Sequence, residues 1–312
     1  MSSPAHGYRM LRRRVLGLAD RPAFDSVLFR QGDPETCELL ESGAASLRAG
    51  FNDGLRLDVT TLLARWDDQP VEARLFWVEG AAMACALLDL VPLPGRGRWE
   101  RLCAAQGGRW GRVLHIGRGW AYAAARRAAP DPGAPGEDPA YAGVPWEGVG
   151  FHDTVFDVVK PPSGPARRPY VHGVGRALWF TSGAQPTTIT PLLDAQGLGI
   201  ADHDDVWSGV GFAATTVGAA TDWPLRELSA LPRTDGPVAA GAAAAKLVLE
   251  RAGLDTARTR ERACLLGAPV ERLAAETVLA RGAEQTLHAR SLAHFAPPSP
   301  AAPRSGDRPE AS

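Results

Sequence analysis

The sequence predicts a mainly α-helical protein. Three observations carry that prediction. Helix-start signals recur along the chain. Apolar/polar alternation is confined to 27–31 and 111–117. Three apolar stretches, "EGAAMACALLD" (79–89), "GVGFHDTVF" (148–156) and "WSGVGFAAT" (207–215), are rich in glycine and alanine, the pattern of close-packed helices rather than strands.

Asp33-Pro34-Glu35 reads as an N-cap, a first-turn proline and a first-turn acid, opening a helix to about Leu55. Asp58 caps a short segment to Trp66. Pro70 opens a long apolar helix closed near Val91 by Pro92 and Pro94. A short helix over 98–106 stops at Gly107-Gly108, and another runs from Trp110 to Arg127. Its first half competes with the strand reading of "GRVLHIG" (111–117). The stretch 128–145 is rich in proline and glycine and reads as a loop. Residues 146–159 precede a second breaker, "KPPSGPARRP" (160–169). Helices follow at 171–182, 190–196, 202–220, 223–231, 236–252, 255–266 and 269–294. The tail 296–312 lacks bulky apolar residues and is expected to be disordered.

Leu63 to Trp77 spans 14 residues, as does Leu193 to Trp207, and long and short segments alternate in the same order around both. That pattern suggests an internal duplication, 33–127 and 170–253, each half a set of packed helical hairpins. The chain then divides into an N-terminal segment (1–32), a first helical half (33–159, carrying the 128–145 loop), a second half (160–295) and the tail.

Apolar residues make up 45% of the 312, enough for a substantial core. A net charge of −1 gives no general pull toward nucleic acid or an anionic membrane. Arg12, Arg13 and Arg14 are followed by only a short apolar run, cut by Asp20, so they read as a basic surface turn and not a targeting signal. The longest apolar run, Gly80 to Leu88, falls well short of a bilayer span, so no integral membrane protein is expected. Cys37, Cys85, Cys103 and Cys264 form no CxxC pair and read as small core residues in a reducing, cytoplasmic compartment.

"WEGVGF" (146–151) and "WSGVGF" (207–212) repeat nearly the same six residues. A glycine within a helix costs roughly 1 kcal/mol relative to alanine, so packing has to offset it. Trp207, Gly211, Ala214 and Gly218 fall on one helix face, a smooth strip that admits a neighbouring backbone. "GVGFAA" (209–214) formally fits a phosphate-cradling G-x-G-x-x-A, but no strand precedes it and no acid follows at the required place. No cofactor motif is found, and no set of metal ligands has characteristic spacing.

Among the seven histidines, His6, His288 and His294 lie near the ends. His172 reads as a helix-start surface residue, and His203 in "DHDD" as part of a cap. His115 and His152 sit beside glycine-rich turns with tryptophan close by. Either is a packed core histidine or a general acid or base lining a cavity. Asp153 follows His152, but helix neighbours point apart, so the two are not expected to form a dyad alone. Of nine tryptophans, Trp120, Trp146, Trp179 and Trp207 adjoin small-residue segments and are candidates to line an elongated apolar pocket for a flat ligand.

"LRRRVLG", "EGAAMACALLD", "HIGRGWA" (115–121), "GVGFHDTVF", "GVGRALWF" (173–180) and "WSGVGFAAT" occur in an order that resembles the UnbL-type family of enediyne biosynthetic cassettes, over about 10–290. The chain departs from that family in the 128–145 insert and in Val149, where an aromatic is usual. The resemblance implies a bacterial cytoplasmic accessory protein acting with an iterative polyketide synthase. It would assist conversion of a linear polyene to the enediyne core. The family brings no established catalytic residues. Three expectations follow: a binder of the apolar polyene, a scaffold for other cassette proteins, or an enzyme using His115 or His152.

Overall fold

A computed structural model describes residues 32–90, 97–132, 134, 137–232 and 234–268. The expected 269–294 helix, the 27–31 strand, the disordered tail and His6, His288 and His294 lie outside those residues. Among the described residues the fold is all-helical, with eleven α-helices and no strand. They are α1 (Pro34–Arg56), α2 (Val59–Ala64), α3 (Val71–Leu90), α4 (Arg98–Ala124), α5 (Val144–Val155), α6 (Arg167–Thr181), α7 (Pro186–Ala195), α8 (His203–Thr216), α9 (Trp223–Ala230), α10 (Asp235–Ala252) and α11 (Ala257–Leu265).

The predicted caps are present. The Asp33 carboxylate accepts from Thr36 N–H at 3.0 Å and that of Asp58 from Thr61 N–H at 3.0 Å, each satisfying an otherwise orphaned first-turn donor. The strand alternative at 111–117 is wrong, because those residues are helical. The expected break at Gly107-Gly108 appears as a bend within α4. Trp99 packs edge-on against His115, with ring centroids 5.0 Å apart. Sixteen residues of straight helix would separate them by about 24 Å. Carbonyls at the bend are served from outside the helix: Gly107 accepts from the Tyr141 hydroxyl and Gly108 from Arg251.

Seven helices pack in chain order as a row: α1, α3, α4, α5, α6, α8, α10. One device joins them. A Cβ on Gly50 would meet the Trp77 carbonyl oxygen at 1.8 Å, and one on Gly80 the Leu47 oxygen at 1.9 Å. The same reciprocal contact recurs between Gly119 and Gly148, Gly150 and Gly173, Gly175 and Gly209, and Gly211 and Gly241. Each glycine touches the carbonyl three residues before the facing one. Between α3 and α4, Ala82 stands opposite Gly117. The first position of every G-x-G (G-x-A in α3) therefore meets the preceding helix and the second meets the following one. Backbone-to-backbone contact, with Cα–H donors aimed at carbonyls, offsets the glycines' helix penalty.

Helical hairpins were expected, and the register shows otherwise. Along α1 and α3, Gly43 faces Phe76, Gly80 faces Leu47 and Gly54 faces Ala84, so both chains rise together. Along α6 and α8, Arg168 pairs with Asp205, Gly209 meets His172 and Trp179 reaches Gly218. Along α4 and α5, Tyr141 stacks on His115, Gly148 meets Ile116 and Trp120 meets Phe151. These neighbours are parallel. The return paths are α2, α7 and the 125–143 connection. The row curls, so that Leu249 and Leu254 join Leu75, Trp110 and Leu114 in one apolar cluster. Arg109 donates to the Ala252 carbonyl across the junction. None of the described helices is long and apolar enough to cross a membrane.

Candidate functional site

The glycine device fixes what faces the inside of the curl. At about 100° per residue, with the first glycine of a pair at zero, the second stands at about 200°. The residue before the pair then falls at about 260° and the residue three after the first glycine at about 300°. Both positions lie on the inner arc between the two neighbouring helices. In order they are Glu79 and Met83, Ile116 and Trp120, Glu147 and Phe151, His172 and Arg176, and Ser208 and Phe212, and every one is buried. Arg112, one turn earlier on α4, falls on the same arc and is buried too.

These positions bring together a charged cluster. Arg112 donates to Glu147 in a short contact. His172 Nδ1 lies 3.5 Å and Arg176 Nη1 4.0 Å from Glu147 Oε2. Arg176 Nη2 donates to Glu79 Oε2 at 3.3 Å, and Trp120 Nε1 to Glu79 Oε1 at 2.9 Å. The guanidinium of Arg176 lies 5.4 Å over Phe151 and 5.1 Å over Phe212. All five ionisable side chains are at least nine-tenths buried.

The two carboxyls are pushed apart. Burial raises both. At Glu147 it is outweighed by Arg112, then by His172 and Arg176, which hold the group down at about 2. At Glu79 burial outweighs Arg176 and the Trp120 hydrogen bond, so its pKa stays above the ordinary carboxylate range. The site thus holds the charge of Glu147 firmly and that of Glu79 weakly.

Glu79 and Arg176 also form the polar floor of a narrow apolar cleft among α1, α3, α4, α5 and α6. Its aromatic wall is Phe76, Trp120, Phe151 and Phe180. The rings meet edge-on or tilted, Phe76 to Phe180 at 6.0 Å and Trp120 to Phe151 at 5.2 Å. The space is about 450 Å³ with its open mouth included.

Of the residues singled out from sequence, Trp120 alone lines this cleft. Trp179 is buried and donates to the Gly218 carbonyl, Trp146 is half-buried and donates to Pro130, and Trp207 is buried within α8. His115 lies on the outer arc, its Nδ1 2.8 Å from the Gly111 carbonyl and its ring stacked on Tyr141 at 4.5 Å. Burial depresses its pKa. His152 also falls outside the inner arc, edge-on to Trp120 at 5.6 Å. Its expected separation from Asp153 does not hold. His152 Nδ1 lies 3.0 Å from Asp153 Oδ1, and Tyr170 donates its hydroxyl proton to Asp153 Oδ2 at 2.9 Å. The pair meets because it sits in the last turn of α5, where Tyr170 draws the Asp153 carboxylate across.

His172, expected at the surface, is buried in the cluster because α6 begins at Arg167, four residues earlier than the predicted helix. Two of the three acids of "DHDD" are drawn into ion pairs, Asp202 with Arg167 and Asp205 with Arg168. None of the four cysteines forms a disulfide; Cys85 is core, whereas Cys264 is exposed. Among the described residues no three potential ligands gather into a metal set.

Fold and site together define an all-helical protein with a buried ionic cluster at the foot of an aromatic cleft. Residues 7–295 match the model of a family described as a protein of unknown function, DUF1702, and the chain belongs to that family. No curated protein and no solved structure matches it.

Proposed function

We propose that this protein binds a long, apolar, conjugated small molecule in the aromatic cleft and assists its conversion, the ligand being the linear polyene of an enediyne pathway. The observation that carries the reading is the wall of Phe76, Trp120, Phe151 and Phe180 over the Glu79–Arg176 floor. Aromatic walls recognise an apolar polyene, and the carboxylate–guanidinium pair against them suits polarising a double bond. The pathway assignment draws on the resemblance of its ordered motifs to the enediyne cassette family. The recurring G-x-G supports, in the same reading, growth of the row by internal duplication. Trp120 is the reporter: a linear polyene hydrocarbon is expected to quench tryptophan fluorescence saturably, and less so in Trp120→Phe. Absence of both quenching and saturable binding would end the reading.

A non-catalytic scaffold for cassette proteins is favoured by one observation. Ile200 and Trp223, at the two ends of the α8 region, are 86% and 71% exposed. That reading expects Ile200→Ser with Trp223→Ala to abolish production while polyene binding persists.

A further inference from the structure

A second cleft opens on the other side of Phe76, where α1 and α3 face α8, α10 and α11. It holds about 730 Å³ with its mouth included and shares Phe76 and Gly43 with the first. Leu39, Leu75, Val217 and Leu249 make its walls apolar, while Arg258, Arg262 and Glu72 bring charge to it.

Arg262 differs from the other buried arginines. Arg112 and Arg176 each hold a glutamate. Arg262 is 7% exposed, and its hydrogen bonds go to the Thr215 and Thr216 carbonyls at 3.5 and 3.3 Å. No ion pair joins it to a carboxylate among the described residues. A buried cation is normally paired, because desolvation without a counter-charge is costly. Those two carbonyls belong to the last turn of α8, whose partial negative charge steadies the guanidinium but does not neutralise it. Burial and the neighbouring Arg258 pull its pKa down to about 10, with Asp222 acting the other way.

We propose that this cleft binds an apolar carboxylate, its head group on Arg262 and Arg258 and its tail along Leu39, Leu75 and Phe76. Arg262 and Arg258 put two guanidinium groups beside the apolar walls, which suits an anionic head group. The tail ends against Phe76, the residue whose other face lines the first cleft.

The inference rests on the reading that the protein takes a long apolar ligand. Its test uses the full chain and two probes, a fluorescent conjugated tetraenoic fatty acid and its methyl ester, titrated at neutral pH. The acid is expected to bind about tenfold tighter than the ester, as a charge-assisted pair to a buried arginine provides. Arg262→Gln is expected to remove that preference, and the exposed Arg258→Gln to reduce it. Equal affinity for acid and ester in the wild type overturns the carboxylate site while leaving the apolar reading standing. Binding of neither overturns both. Should Arg262→Gln fail to fold, an unchanged acid preference in Arg258→Gln overturns the proposal.

Discussion

Gly119 and Gly148 share one point of contact between α4 and α5: a Cβ on Gly148 would lie 3.0 Å from the Gly119 Cα and 2.1 Å from the Ile116 carbonyl oxygen. The obstacle is backbone on both counts, and backbone within a packed row does not yield. Gly148→Ala is therefore expected to destabilise the protein by about 3 kcal/mol. Gly108, in the same α4, has nothing within 4 Å of its Cβ position. Gly108→Ala is expected to be neutral or to stabilise by about 0.5–1 kcal/mol. Urea unfolding of both variants checks the contrast, and similar losses would refute it.

Arg176 lies between Glu79 and Glu147. Truncating it to Met leaves the ionised Glu147 with one fewer counter-charge, at an expected cost of about 3–5 kcal/mol. Glu79→Gln removes a carboxyl whose charge is already disfavoured, so its loss is expected to be smaller. The double variant is expected to be more stable than the sum of the single losses predicts. Thermal unfolding of the three variants measures that coupling.

Acid stability has two windows. His115 has a depressed folded pKa, so its contribution is complete above the ordinary histidine value and is lost as pH falls through it. The slope is at most about 1.4 kcal/mol per pH unit. His115→Phe is expected to flatten the unfolding profile around pH ~6. Glu147 is depressed from 4.5 to about 2, so its contribution is present above the ordinary carboxylate range and disappears as pH drops from there toward 2. Glu79, shifted upward, acts in the opposite sense: protonation favours the fold. Glu79→Gln is thus expected to steepen the acid transition. A shallower transition in that variant would contradict the assignment.

Tyr170, Asp153 and His152 form a relay at the end of α5. Tyr170 also accepts from the Lys160 amide at 2.9 Å. Tyr170→Phe removes both bonds and is expected to cost about 2 kcal/mol. His152→Ala, half-buried and outside the cluster, is expected to lower stability by less than about 1 kcal/mol and to leave polyene binding and production intact. Loss of production in His152→Ala at unchanged melting temperature would move the chemistry to that histidine.

The helices were legible because their signals are local. Asp33, Asp58 and the proline-opened turns set element starts, and the Gly107-Gly108 break emerged as a bend because no facing backbone packs on those two glycines to offset their helix penalty. Direction was not legible: long and short segments in alternation fit hairpins or parallel helices with returns equally well, and only cross-helix register separates them. The cluster was missed for a related reason. Glu79, Glu147, His172 and Arg176 lie far apart in sequence and match no ligand or catalytic spacing. What aligns them is their position relative to G-x-G, and that signal was present. "WEGVGF" and "WSGVGF" read as a packing device from sequence, yet the inward residue of the first is Glu147, just before its glycines, and not His152, just past them.

The double use of glycine has a mechanical consequence. Each interior helix is geared to both neighbours, so turning it about its axis drives Cα and carbonyl atoms together on two sides at once. Such a gear train is least constrained at its ends, and α1 is an end, geared to one neighbour, α3, through Gly50 and Gly54. It contributes Gly43, Ala44 and Leu47 to the first cleft and Leu39 to the second. Both clefts therefore share the singly geared α1 wall, whereas every residue of the ionic cluster stands on a helix geared on two sides.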